Sequence, residues 1–427
     1  MVIAAPYQTG VTSAMSDTTT PHGNGSPLVF NPNAPGFDAN PYPTYERLRE
    51  EAPVFYWKEA QGYVLSRFED ASNLMRDPRF TLDPAAVGRP SRTDAMPPDI
   101  RYIFEKGLFN LPANDHLRVR RAVSPAFTPR AVEKLRGEIE GIVDEALAPW
   151  QGKDVIDIAP IADFIPMRVI ASMLHIPKEH DELFRGFGQA LVQSVDPRLT
   201  PAQLGALFSR VPPGMAVLRQ IIEERRKHPG DDLLSVLIKA EETGDKLSTE
   251  EMISLVAGLI TAGSETTVHF ISFSMLNLVR MPEKLAEVRK DRALLKGALE
   301  EVLRWDSFGK SGIPRYALED VEISGTKIKK GEMVMALLPA AQRDPRGYPD
   351  ADKFDPRREP EERIHFGSGP HYCLGANLAK LEGEVAVARI LERYPTLKLA
   401  AEPVFGFHPF IRHIAKLELA VSPATKA

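Results

Sequence analysis

Ile364-His365-Phe366-Gly367-Ser368-Gly369-Pro370-His371-Tyr372-Cys373-Leu374-Gly375-Ala376 is the stretch on which the reading of this 427-residue chain turns. Cys373 is the one cysteine in the sequence, so it can enter neither an internal disulfide nor a multi-cysteine zinc site. Directly after it, Leu374, Leu378, Leu381, Val385, Ala388 and Leu391 recur at steps of three and four, which is one apolar face of a helix. A cysteine at the start of such a helix meets unpaired backbone N–H groups and the positive end of the helix dipole, so its thiolate is expected to be favoured. Gly367, Gly369 and Gly375 allow tight turns and the close approach of a flat ligand.

A lone cysteine taken by itself reads as a small, inert core residue. A thiolate at a helix start with room above it suits a different role, the single axial ligand of a haem iron. The whole pattern Phe366-x-x-Gly369-x-x-x-Cys373-x-Gly375 is far more specific than the cysteine, and it resembles the haem-binding loop of the cytochrome P450 family. That resemblance implies heme b (iron-protoporphyrin IX) with Cys373 as the fifth iron ligand. It also implies that Phe366, Gly367 and Gly375 surround the cofactor and that His371 donates to a propionate.

Composition reads as that of a soluble globular protein, at 43% hydrophobic and 26% charged residues. With 53 basic against 58 acidic residues the net charge is −5, which argues against a nucleic-acid-binding surface. No apolar run reaches the length needed to span a bilayer. Residues 1–27, rich in Thr, Ser, Gly and Pro, read as a disordered leader with neither a signal peptide nor an anchor. Residues 28–427 are then expected to form one domain of a cytoplasmic, monomeric protein.

Along that domain, a short helix is expected over 41–51, a hairpin over 54–65 and a further helix over 68–76. Residues 80–112 read as an irregular loop, and loops of that length are usually functional. His116 and Arg120 follow, four apart and so on one helix face. Alone they read as a solvated basic face. Next to a haem, buried propionates need cationic hydrogen-bond donors, and the His-x-x-x-Arg spacing resembles the family's propionate clamp. Thr128-Pro129 signals a helix start, with one helix to about 148 and further helical patterns over 162–174, 179–195, 201–227 and 231–242.

Ser248-Thr249-Glu250-Glu251 is a capping box, and the helix it opens reads as unusually long, to about Arg280, and apolar nearly all round. Its middle holds Ala262-Gly263-Ser264-Glu265-Thr266-Thr267. Glycine there costs roughly 1 kcal/mol against alanine, so the break points to function. Thr266 can bond back to the Ala262 carbonyl and open the helix ladder, while the small Ala262 and Gly263 leave room for a diatomic molecule. The segment resembles the family's Ala-Gly-x-acid-Thr-Thr motif, which implies Glu265 and Thr266 as the catalytic pair that carries protons.

Glu301 and Arg304 stand one turn apart and read alone as a surface pair. In combination with Arg358 they resemble the family's structural ion-pair triad, and Arg315 matches a second propionate arginine. Residues 315–323 and 332–337 alternate like strands. The expected fold is therefore mainly α with a small β region, the triangular single domain of the family. The expected activity is insertion of one oxygen atom from O2 into a C–H bond of an apolar, medium-sized organic substrate. Electrons would come from NAD(P)H through a reductase and a ferredoxin docked near Arg120, Arg121, Lys134 and Lys380. Two alternatives of the same fold, a peroxide-driven peroxygenase and a non-catalytic haem-thiolate sensor, lose ground to the intact Glu265-Thr266 pair. Phe109, Leu259, Phe405 and Phe407 favour an apolar pocket. Lys310 would meet a substrate carboxylate if it turned inward, although lysine is usually exposed.

Overall fold

The structure, a computed structural model, describes residues 28–422 except 92, 95, 197, 243–246 and 360–361. The leader expected at 1–27 lies outside the described residues.

The helix Thr249–Arg280 runs 32 residues without interruption through the main apolar core. It begins where the capping box places it. Ser248 Oγ accepts from the Glu251 N–H at 3.1 Å, and the Glu251 carboxylate accepts from the Ser248 N–H at 2.8 Å. Arg118, from the helix Ala113–Val123, holds the same carboxylate at 2.6 Å and so ties the two helices together. The long helix packs closely on the helix Ile158–Met173, where a Cβ on Gly263 would stand 3.1 Å from the Ile170 side chain. It also crosses the helix Ala376–Arg393 that follows Cys373. At that crossing a Cβ on Gly383 would collide with the Phe270 ring.

The β structure is small and peripheral to these helices. A five-stranded sheet takes the order Val54–Trp57, Gly62–Leu65, Met333–Ala336, Pro314–Ala317 and Phe80–Thr81. Only the pair of Gly62–Leu65 with Met333–Ala336 is parallel. Val155–Asp157, Glu418–Ser422 and Thr396–Leu399 form a second sheet. The hairpin of Val404–Gly406 with His413–Lys416 carries a long turn that reaches back toward the long helix.

Four expectations change in detail. Within the stretch read as an irregular loop, Pro98–Glu105 is a helix, with Pro98 in its first turn and Ile100 and Ile103 buried. The pattern from Thr128 splits into Pro129–Glu133 and Arg136–Leu147, although Thr128 Oγ1 does cap the first at 3.3 Å. The pattern over 201–227 splits likewise, because Pro212 and Pro213 end one helix at Phe208 and start another at Val211. Residues 321–323 leave the main sheet to pair with Thr326–Ile328 in a separate hairpin.

Candidate active site

The cysteine loop is closed by its own backbone. The Cys373 N–H donates to the Phe366 carbonyl at 2.9 Å, and Gly367 and Gly369 take φ of 74° and 70°, the left-handed region that glycine enters without strain. Gly375 has nothing within 4 Å of where a Cβ would be, so space lies open beside the thiol. Cys373 itself is exposed in area yet closely surrounded by protein, as a residue on the wall of a cleft is. Burial pushes its thiol above the usual range. That outweighs the Gly375 N–H and the charges of Arg120 and Lys380, which favour the anion. The expectation that the helix start alone would favour the thiolate is therefore corrected. The helix begins only at Ala376, and desolvation is the larger effect here.

His116, Arg120, Arg315 and His371 are brought together, although they are spread over 255 residues of sequence by their numbering. The rings of His116 and His371 lie 4.2 Å apart, and Phe109 stacks over His371 at 6.5 Å and 11°. Burial, then His116, Arg315 and Arg120 in turn, push His371 down to about 4. Burial and Arg120 lower His116, whose Nε2 is buried without a hydrogen-bond partner among the described residues. Arg120 donates to the Tyr372 carbonyl, and Arg315 donates to the Met75 carbonyl at 3.3 Å. No carboxylate among the described residues pairs with either arginine. Two guanidiniums and two imidazoles without an anion fit a ligand that brings its own carboxylates. This donor set beside an accessible thiol matches what a haem requires.

The long helix opens on one side at the same level of sequence that looked broken. Gly258, Ala262 and Thr266, at steps of four, are exposed between fully buried stretches, so they line open space. Thr266 Oγ1 donates to the Ala262 carbonyl at 2.8 Å, and Thr261 and Ser264 make the same bond one turn back at 2.7 and 2.6 Å. The helix nonetheless continues without a break. Of the two small residues expected to leave room, only Ala262 faces the opening. Gly263 serves the contact with Ile170, and Gly258, which sequence reasoning missed, stands in its place with nothing within 4 Å. Glu265 is turned aside, its Oε1 3.2 Å from His408 Nε2 in the hairpin turn. No spacing in the sequence links those two residues.

The ion-pair triad forms as expected. Glu301 meets Arg304 at 2.8 Å and Arg358 at 3.0 Å, and the Asp355 N–H donates to the same carboxylate at 3.0 Å. Lys310 is buried, contrary to its usual place. Its Nζ sits 2.8 Å from Asp38 Oδ1, a carboxylate already supplied by the protein. Arg198, from the connection after the helix Asp181–Gln193, lies 3.3 Å over the Phe407 ring and joins that connection to the hairpin turn. Around the cysteine loop, Arg121 and Lys134 are exposed, whereas Arg120 is turned inward and Lys380 is paired with Glu300 at 2.6 Å.

The family model for cytochrome P450 matches residues 89–404. The epothilone C/D epoxidase of Sorangium cellulosum is 41% identical over 400 residues, covering 92% of this chain and 96% of its own length. The cytochrome P450 monooxygenase PikC of Streptomyces venezuelae is 34% identical, covering 92% and 94%. Among solved structures, epothilone B-bound cytochrome P450epoK superposes with a TM-score of 0.88 at 40% identity, over 93% of this chain and all of that one. P450BioI, solved with an acyl carrier protein bearing hexadec-9Z-enoic acid, gives 0.83 at 32% identity, over 90% of this chain and all of that one.

Proposed function

This chain belongs to the cytochrome P450 family of monooxygenases, and from that premise we propose that it inserts one oxygen atom of O2 into an apolar, medium-sized organic molecule at a C–H bond, using heme b held by Cys373. The observation that carries this reading is the anion-free cradle of His116, Arg120, Arg315 and His371 beside the one thiol of the chain. Bound there, the haem supplies the activation of O2, to which a thiolate ligand lends electron density. Cys373 would hold the iron as a thiolate, with the Gly375 N–H and the charges of Arg120 and Lys380 favouring that anion against the effect of burial.

The remaining work falls to the chain's own residues. The cradle would take the two propionates, with Phe366 and Gly367 shaping the loop and Gly375 leaving space that a flat ring could use. Ala262 and Gly258 keep the distal side open. Thr266 donates its hydroxyl hydrogen bond to the Ala262 carbonyl, which leaves its oxygen lone pairs to accept a hydrogen bond from the cleft. Glu265, one residue before it, is the acid that supplies protons. An apolar substrate is supported by the structural neighbour solved with a carrier protein bearing hexadec-9Z-enoic acid, whose chain is hydrocarbon.

Electrons reach this site from NAD(P)H through a reductase and a small acidic ferredoxin in the cytoplasm, docked where Arg121 and Lys134 are exposed. No helix among the described residues is long and apolar enough to cross a membrane. Reduction at limiting ferredoxin should slow as ionic strength rises to where the screening length is about 10 Å. A salt-independent rate would remove this docking face.

The test of the function is turnover under isotopically heavy O2 with ferredoxin, reductase and a panel of polyketide and fatty-acyl substrates. One heavy atom per product is expected, preceded by a substrate-induced change of haem spin state. Product formed only when peroxide is added would favour the peroxygenase, and a spin shift without product the sensor.

Arg120→Ala gives a second check. A propionate left without its charged partner should weaken haem retention by about tenfold or more. Unchanged haem content after dialysis would return Arg120 to a solvated basic face.

A further inference from the structure

Around Glu265 lies a group of polar side chains without a role in the proposed reaction. Glu265 and His269 stand one turn apart on the long helix, and His408 and His413 come from the hairpin. Lys310 and Asp38 close the group as an ion pair at 2.8 Å, and Asp196, held by Arg198 at 2.9 Å, faces His408 from the connection above. The His269 ring centroid is 5.0 Å from that of His413 and 6.4 Å from that of His408. Gly406 makes room for this arrangement, since a Cβ there would stand 2.7 Å from the His413 ring.

His269 is the member without an explanation. It is 1% exposed, and neither of its nitrogens has a hydrogen-bond partner among the described residues. Buried polar groups are almost always satisfied, and by water where protein groups are not at hand. His408 adds to the demand. Its Nδ1 accepts from the N–H groups of Phe410 and Ile411 at 3.1 and 3.0 Å, which places the ring hydrogen on Nε2. That Nε2 is buried and, although 3.2 Å from Glu265, is not aligned on it for a hydrogen bond. Water between these groups would satisfy all of them. Packing against Phe308 would be served as well by an apolar ring, so it does not account for an imidazole at 269.

We propose that water held by His269, His408 and His413 is the inlet through which protons from solvent reach Glu265. His269 acts through Glu265, as the positioning residue of this path. Burial, His413 and His408 push His269 down to about 3, so it stays neutral. A neutral imidazole with neither nitrogen engaged among the described residues offers water one donor and one acceptor. Only protons move: each one Glu265 gives up toward the cleft is replaced by one drawn from solvent. His408 offers water only its Nε2 hydrogen, because its Nδ1 is committed to the turn.

The inference rests on Glu265 as the acid, and its test separates the two. In haem-loaded protein with nitrogen-labelled histidine, water cross-peaks to the His269 ring are expected in the wild type. Exchange of the His408 Nε2 hydrogen into deuterated solvent should slow at least about tenfold in His269→Phe, which dries the site, and remain near wild type in His269→Gln, which keeps it polar. The solvent isotope effect on turnover should rise only in the phenylalanine variant. No water contact in the wild type, or equal exchange in all three proteins, would overturn the inlet. If Glu265→Gln turns over normally while the exchange pattern holds, the water path stands and the acid's role falls.

Discussion

Glu301→Ala is expected to destabilise the protein by about 3–5 kcal/mol, because it strands a buried guanidinium. Glu301 and Arg304 are each 3% exposed, and the carboxylate also holds Arg358 and the Asp355 N–H. Arg304 would retain the carbonyls of Gln342, Ala351 and Lys353 at 2.9, 2.7 and 3.1 Å, which partner its N–H groups but do not neutralise its charge. Against a total stability on the order of 5–15 kcal/mol the loss is large. Arg358→Ala should cost less, about half as much, since the Glu301–Arg304 pair stays intact and Arg358 lies nearer the surface. Denaturant titration of both variants checks the order. A loss under about 1 kcal/mol for Glu301→Ala would mean the triad is not a structural clamp.

Thr266→Ala should leave the fold intact and damage the chemistry. Alanine is the better helix former, and the Thr266 hydroxyl is spent on a carbonyl of its own helix, so stability should change by less than about 1 kcal/mol. Cys373 and the propionate cradle are untouched, so haem content and ferredoxin reduction should match the wild type. Without the hydroxyl, protons from Glu265 arrive with nothing to place them. Product formed per NAD(P)H should then fall by at least about tenfold, a lower bound set beneath the roughly 10²–10⁴-fold that general acid catalysis contributes. The missing reducing equivalents should appear as hydrogen peroxide. With peroxide supplied in place of O2 and NAD(P)H, the variant should keep a larger share of wild-type activity. Equal coupling in both proteins would leave Thr266 as a helix residue only.

The features legible in the sequence share a local cause. The capping box at Ser248, the cysteine loop and the Glu301–Arg304 pair are each written within a few positions, and spacing alone places their members together. Gly263 was misjudged because a glycine in a helix looks the same whether it faces a ligand or, as here, the Ile170 side chain. The helix Pro98–Glu105 was legible in Pro98 and in the spacing of Ile100 and Ile103, but punctuation by proline masked it. The partners of Glu265 and Lys310 could not be read. His408 and Asp38 approach them only through tertiary packing, over separations of 143 and 272 positions by their numbering.

The measurement closest to the centre is the carbon monoxide spectrum of the reduced, haem-loaded protein, recorded for the wild type and for Cys373→Ser. Thiolate ligation by Cys373 requires a strongly red-shifted Soret band in the wild type and its loss in the serine variant. The same red-shifted band in both proteins would take Cys373 off the iron and undo the assignment of the site.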